Sequence, residues 1–127
     1  MGITTNGLTK PYTAGGTIAA RRIVKFGAAD GVVLQAAAVG DKLIGVSSDL
    51  GSVSGERQDV FMVGNIAEVD FGGTIARGDP ITSDASGKAV TAAPAAGTNN
   101  YCVGHAEVSG VAGDVGTVIV QPFTLQG

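Results

Sequence analysis

The chain has 127 residues, a length that suits one folded domain. Hydrophobic residues make up 44% and charged residues only 15%, which excludes a disordered chain, and the 21 glycines follow no G-X-Y period, which excludes collagen. The net charge is −3, and the densest basic cluster, Arg21-Arg22 with Lys25, is too small for a nucleic-acid interface. We interpret these three residues as exposed charges on a strand.

Cys102 is the only cysteine, so the chain forms no intrachain disulfide. It lies in an apolar run and is predicted to be a small buried hydrophobe in a protein that folds in a reducing compartment. No secretion signal and no apolar run of membrane-spanning length are found, so neither a membrane nor nucleic acid is an expected partner.

The predicted elements begin with a polar segment. Residues 1–14 are interpreted as an extended N-terminal arm, and deletion of residues 1–12 is expected to leave the β-fold intact. From residue 17 on, β-branched and apolar runs are separated by Gly, Asp, Ser and Asn. This pattern predicts nine strands, over residues 17–26, 32–38, 43–47, 58–63, 66–71, 80–82, 88–92, 101–108 and 116–123.

Two kinds of turn sequence separate these runs. One group consists of tight-turn dipeptides, Asp30-Gly31, Gly64-Asn65 and Ser86-Gly87. In a second group a Gly-Asp pair ends a loop before an apolar run, at Gly40-Asp41, Gly78-Asp79 and Gly113-Asp114. No stretch has helical periodicity over three turns, and the Ala-rich segments are short or broken by Pro94. The predicted class is therefore all-β, a small β-barrel or β-sandwich.

The chain contains an internal repeat. The pentamer GGTIA at 15–19 returns at 72–76, and Leu43-Ile44-Gly45-Val46 aligns with Cys102-Val103-Gly104-His105. Two pseudo-repeated halves, at about 15–64 and 72–122, are predicted to close one core within a single β domain at 15–127.

The sequence contains only weak motifs for catalysis, metal binding or modification. His105 is the only histidine and has neither a nucleophile motif nor enough potential metal ligands near it, so no catalytic residue, no metal site and no cofactor is predicted. Two alternatives stay open. Asp41-Lys42 is reminiscent of the modified lysine of a lipoyl- or biotinyl-carrier domain, and Arg77-Gly78-Asp79 spells a tripeptide that adhesion receptors read.

Residues 78–90, GDPITSDASGKAV, resemble the signature "a-G-D-p-[IL]-…-D-…-G-k" of tailed-bacteriophage capsid cement, or head decoration, proteins. The blocks at 43–46, 55–64 and 117–122 are also similar to that family, so the resemblance covers about residues 15–122. It implies a structural virion protein, not an enzyme, made in the bacterial host cytoplasm. Such a protein binds the outer surface of the phage head, where major capsid protein subunits meet, and stabilises the shell.

Two terminal segments are predicted to make the contacts with the capsid or with neighbouring copies. Near the N-terminus these are Lys10, Pro11 and Tyr12, and near the C-terminus Pro122, Phe123 and Leu125. Proline fixes an extended backbone, and the aromatic rings supply a large contact area at a small entropic cost. A homo-oligomer is expected, with a trimer favoured for threefold positions of a shell and a dimer possible for twofold positions.

Overall fold

The computed structural model describes residues 7–127, and in this range it is all-β, with no helix. The predicted fold class is thus confirmed. The strands are β1 (Thr9–Ala14), β2 (Ile23–Phe26), β3 (Val32–Gln35), β4 (Leu43–Ser47), β5 (Arg57–Phe61), β6 (Ile66–Asp70), β7 (Pro80–Ser83), β8 (Ala89–Thr91), β9 (Asn99–Ala106) and β10 (Val115–Gln126).

The first five strands form a closed barrel in the order β1-β3-β2-β4-β5, with β5 pairing back to β1. All of these pairs are antiparallel except β1 with β3, which is parallel at Thr13↔Val32 and Ala14↔Val33. Closure removes the free edges that an open sheet of this size would expose.

The last five strands repeat this arrangement as a sheet in the order β6-β10-β9-β7-β8. Each pairing in the barrel has its counterpart: β6 with β10 corresponds to β1 with β5, and β7 with β8 corresponds to β2 with β3. Even the parallel contact is repeated, as a bridge between Phe71 and Ala89. The repeat therefore extends beyond the halves predicted from the sequence, because β1 is the counterpart of β6.

The N-terminal arm is not confirmed. Residues 9–14 form β1, which is paired with β5 from Thr9↔Phe61 to Thr13↔Arg57, and residues 1–6 lie outside the described part of the chain. Pro11 is tolerated in this strand because its nitrogen faces away from β5, on the side where pairing with β3 begins only at Thr13.

The strand predicted over residues 17–26 is shorter in the structure, where β2 begins at Ile23. Arg21 has a positive φ of 56°, the only one among the described residues other than glycine. It occupies the position of Gly78 in the repeat, where φ is 92°. A left-handed residue ends an extended run, which explains the late start of β2.

The core has two clusters of buried side chains. One lies within the first half and includes Ile18, Val33 and Val60. The other is built mainly from the second half around Phe71, but Ile23, Leu43 and Val46 of the first half belong to it. The two halves therefore share one apolar cluster.

Polar contacts also join the halves. Asp70, at the end of β6, accepts hydrogen bonds from Nε of Arg21 at 3.3 Å and Nε of Arg22 at 3.1 Å. Arg22 Nη1 and Gln35 Nε2 both donate to the carbonyl oxygen of Ser86, each at 2.9 Å. The interpretation of Arg21 and Arg22 as simply exposed charges on a strand is wrong, since both are partly buried and pair across the repeat.

Candidate contact surfaces

The side chains considered for catalysis or metal binding pack against neighbouring side chains. His105 stacks on Phe123 with ring centroids 4.9 Å apart and an interplanar angle of 5°. Cys102 is buried as predicted, and burial raises the pKa of its thiol to about 11. Within residues 7–127, no group of three His, Cys, Asp or Glu side chains could hold a metal ion, and no helix is long and apolar enough to cross a membrane.

The Gly-Asp pairs form turns in which the carboxylate reaches back to the backbone. Asp79 Oδ2 accepts a hydrogen bond from the Ala76 N–H at 2.9 Å, while the Asp79 N–H donates to the Ala76 carbonyl oxygen at 3.0 Å. The same Oδ2 accepts from the Thr91 hydroxyl at 2.9 Å. The carboxylate of the Arg77-Gly78-Asp79 tripeptide thus stabilises its own turn, which argues against an adhesion site there.

Asp41 makes a related turn, with its Oδ2 accepting from the N–H groups of Ala37 and Ala38. Burial alone raises the pKa of Asp41, but these hydrogen bonds and the ammonium of Lys25 outweigh it and hold the pKa below its ordinary value. Lys42 follows in the connection between β3 and β4, two strands separated by β2 in the barrel. It does not lie at the tip of a hairpin, as the lysine of a carrier domain would.

The predicted N-terminal contact residues lie on β1. Lys10 Nζ is 5.0 Å from the centroid of the Tyr12 ring, close enough for a cation–π contact. The Tyr12 hydroxyl lies 3.6 Å from the sulfur of Met62, and both side chains pack against the core cluster of the first half. Pro11 is exposed on the opposite face of the strand.

The predicted C-terminal contact residues lie on the last part of β10. Beyond an irregularity between Val120 and Phe123, β10 pairs with β9 alone, up to Gln126↔Asn99. β4 and β5, the counterparts of β9 and β10, are much shorter, so this two-stranded ribbon is where the second half departs from the first. Pro122 is exposed, while Phe123 and Leu125 are half-buried on the ribbon.

Pro11 is on the other face of β1, but the fold brings Lys10 and Tyr12 near Pro122 and Phe123. A shallow apolar depression lies between them, with Met62, Val63 and Pro122 among its lining residues. Phe26 lines this depression and also the neighbouring one beside Lys10 and Tyr12, whereas Pro122 also lines the one beside Phe123. We call this surface the apolar strip and define it by Tyr12, Phe26, Met62, Val63, Pro122 and Phe123.

Three members of the strip were not predicted from the sequence. Phe26 and Val63 are 56% and 53% exposed, and Met62 is half-buried beside them. The strand predicted over residues 58–63 ends at Phe61 in the structure, which leaves Met62 and Val63 at the surface. No local signal marks Met62 and Val63 as surface residues, because the apolar run continues without a break past the end of β5.

The fold of this chain also occurs in a solved structure of a phage protein. The chain is similar in structure to the N base of head fiber gp8.5 of bacteriophage phi29, with a TM-score of 0.64 over 90% of this chain and 93% of that chain. Sequence identity in that comparison is 19%, so the likeness shows the fold alone. No curated protein matches the chain by sequence.

The family comparison covers nearly the whole chain. A family model described as phage cement protein matches residues 4–122, which include all of β1 to β9 and most of β10. The family is one of structural phage proteins that bind the capsid, as the resemblance of residues 78–90 indicated. The chain belongs to the phage cement protein family.

Proposed function

We propose that this protein binds the outer surface of the assembled phage head, at contacts between subunits of the major capsid protein, and acts there as a cement with no catalytic step. The family match over residues 4–122 is the observation that carries this proposal. Each copy contributes modest contacts, and an oligomer that touches several shell subunits gains apparent affinity through effective concentration. The single buried Cys102 suits synthesis in the host cytoplasm.

The apolar strip is proposed to join copies of the chain into a homo-oligomer, with a trimer favoured and a dimer as the other arrangement. Aromatic and methionine side chains are enriched in contact surfaces between protein chains, and here Tyr12, Phe26, Met62 and Phe123 lie together. The strip occurs once in each chain, so packing it around a symmetry axis would cover the exposed apolar side chains of all copies. Lys10, Pro11 and Leu125 would lie at the border of this contact.

The cement role is tested on purified particles by the molar ratio of this chain to the major shell protein. A near-stoichiometric ratio that falls when the shell is stripped with mild denaturant is the expected result. Absence from particles, or a few copies only, would contradict lattice reinforcement.

The role of the strip is tested by Phe26→Ser combined with Val63→Ser, two exposed positions whose change leaves the core intact. Light scattering coupled to size exclusion should show the wild type as an oligomer and the variant as a monomer. Val53→Ser, at a similarly exposed position that lines none of the strip's depressions, is the matched control and should keep the oligomer. An unchanged mass for the double variant, with lost binding to heads, would assign the strip to the shell instead.

A further inference from the structure

A second set of exposed apolar side chains lies outside the strip and occurs twice in the chain. The loop between β4 and β5 carries Leu50 and Val53, which are 74% and 55% exposed. The loop between β9 and β10 carries Val108 and Val111, which are 39% and 54% exposed. Scattered exposed apolar residues are ordinary on a protein surface, but here two pairs with the same spacing occupy equivalent loops of the repeat.

The two loops share one eight-residue pattern. Residues 49–56 read DLGSVSGE and residues 107–114 read EVSGVAGD, so both begin with an acid, continue with the two apolar residues three apart, and end with glycine and an acid.

The backbone of the two loops is held in the same way. In the first loop, Ile18 and Ser52 exchange two hydrogen bonds of 2.9 Å, and Glu56 Oε1 accepts from the Val53 N–H at 2.8 Å. In the second loop, Ile75 and Gly110 exchange bonds of 2.9 and 3.0 Å, and Asp114 Oδ2 accepts from Val111 at 2.9 Å. Both apolar pairs are therefore presented on braced loops of matching geometry, which limits the entropy lost on binding.

No residue of either loop lines the depressions of the apolar strip. Ala14, the last residue of β1, donates to the carbonyl oxygen of Glu56 at 2.8 Å. Phe71, just after the end of β6, makes the same bond with Asp114 at 2.8 Å. The two loops are thus held in the same way at the ends of equivalent strands, and neither contributes a residue to the strip.

We infer that the two loops are duplicate binding elements, and that one molecule inserts Leu50 with Val53 and Val108 with Val111 into the same apolar pocket on two neighbouring subunits of the shell. This inference rests on the proposed function. A partner that satisfies both loops must present one surface twice, as a shell of repeated subunits does. The first acids of the two loops, Asp49 and Glu107, favour a basic rim around that pocket.

The test measures binding of the purified protein to heads of its own phage that were assembled without it. L50S/V53S and V108S/V111S should each weaken apparent affinity on the order of tenfold to a hundredfold, because one of two linked contacts is lost. The variant with all four changes should not bind at wild-type saturating concentration. Val39→Ser is the control for loss of an exposed apolar residue outside the loops.

A second pair of changes tests whether the loops are equivalent. Exchanging their first apolar residues, as L50V with V108L, should leave the affinity within about twofold, since both pockets accept either aliphatic side chain. Wild-type affinity in the variant with all four changes would overturn the duplicate contact, and so would weaker binding in only one of the two double variants. In either case, binding of the wild-type protein to heads would still support the cement role. A wild-type protein that does not bind heads would overturn both.

Discussion

Two glycines explain how the strands of each half approach so closely. A Cβ at Gly45 would collide with the carbonyl oxygen of Phe61, and a Cβ at Gly104 would collide with that of Ile119. These pairs are equivalent in the repeat, and both join neighbouring strands, β4 with β5 and β9 with β10. The obstacle is backbone and cannot rotate away, so only glycine fits at either position.

Gly45→Ala and Gly104→Ala should therefore each lower the free energy of unfolding by about 1–3 kcal/mol, the usual cost of overpacking. Gly40→Ala is the matched control, because open space surrounds that residue and its φ is not positive. Urea unfolding followed by circular dichroism measures all three. If the midpoints of the three variants coincide, the close approach does not limit these positions.

Cys102 should react with thiol reagents only after unfolding. It is 1% exposed, and burial raises the pKa of its thiol from 9.0 to about 11. The folded state thus holds the proton more tightly, so this group's contribution to stability is complete below pH 9 and is lost as the pH rises through about 11. Iodoacetamide labelling at pH 8, followed by mass spectrometry, should be slow in buffer and fast in concentrated urea. Equal rates would contradict a buried thiol.

At the scale of the element, β1 is part of the closed barrel, so we replace the expectation that deletion of residues 1–12 leaves the β-fold intact. Their deletion removes Thr9 to Tyr12 and with them most of the pairing with β5, which becomes an open edge. We expect a lower melting temperature and aggregation, because unpaired edges associate.

Deletion of residues 1–6 is the control, since it leaves in place all ten strands of residues 7–127. Differential scanning fluorimetry with light scattering distinguishes the two truncations. A melting temperature unchanged by the longer deletion would show that the barrel does not need β1.

The strands that can be predicted from the sequence are those marked by residues within or directly beside them. Nine strands follow from apolar runs and turn dipeptides, and Gly78-Asp79 marks a turn whose hydrogen bonds lie within a few residues. β1 has no such signal: it contains Pro11 and mostly exposed residues, and its pairing with β5 spans about fifty residues of chain. The apolar strip was only half predicted for the same reason, since Phe26 meets Pro122 through the topology.

The repeat was visible in turns and strand glycines but not in the core, where the halves are filled differently. In the second half the Phe71 ring fills space left by Gly110 and Gly116, where any Cβ would meet the ring. The counterparts of these three in the first half are Ala14, Ser52 and Gln58, and the buried Gln58 accepts a hydrogen bond from Ser52 at 2.7 Å. Core volume is a property of all three positions together, which alignment of single residues does not reveal.

At the scale of the whole molecule, the features that both halves share and the features that only one half has are suited to different contacts. The two loops are equivalent and suit a partner with repeated surfaces, whereas the apolar strip depends on the ribbon of β9 and β10, which the first half lacks. In the proposed function, the strip joins copies of the chain and the two loops engage the lattice.

The same architecture predicts that the chain unfolds as one unit. The second cluster contains Ile23 and Val46 of the first half, and Asp70 pairs with both Arg21 and Arg22 across the repeat. Neither half can lose its structure without exposing apolar surface of the other. Calorimetry should therefore show a single transition whose calorimetric and van't Hoff enthalpies agree.

A destabilising substitution in either half should lower the temperature of this single transition. Val33→Ala lies in the cluster confined to the barrel, and Phe71→Ala in the shared cluster. Each should lower the single melting temperature, with the larger shift for Phe71→Ala, because removing a buried aromatic ring costs about 3–5 kcal/mol. If Val33→Ala instead split the trace into two transitions, the halves would be independent folding units, and the shared cluster would be too weak to couple them.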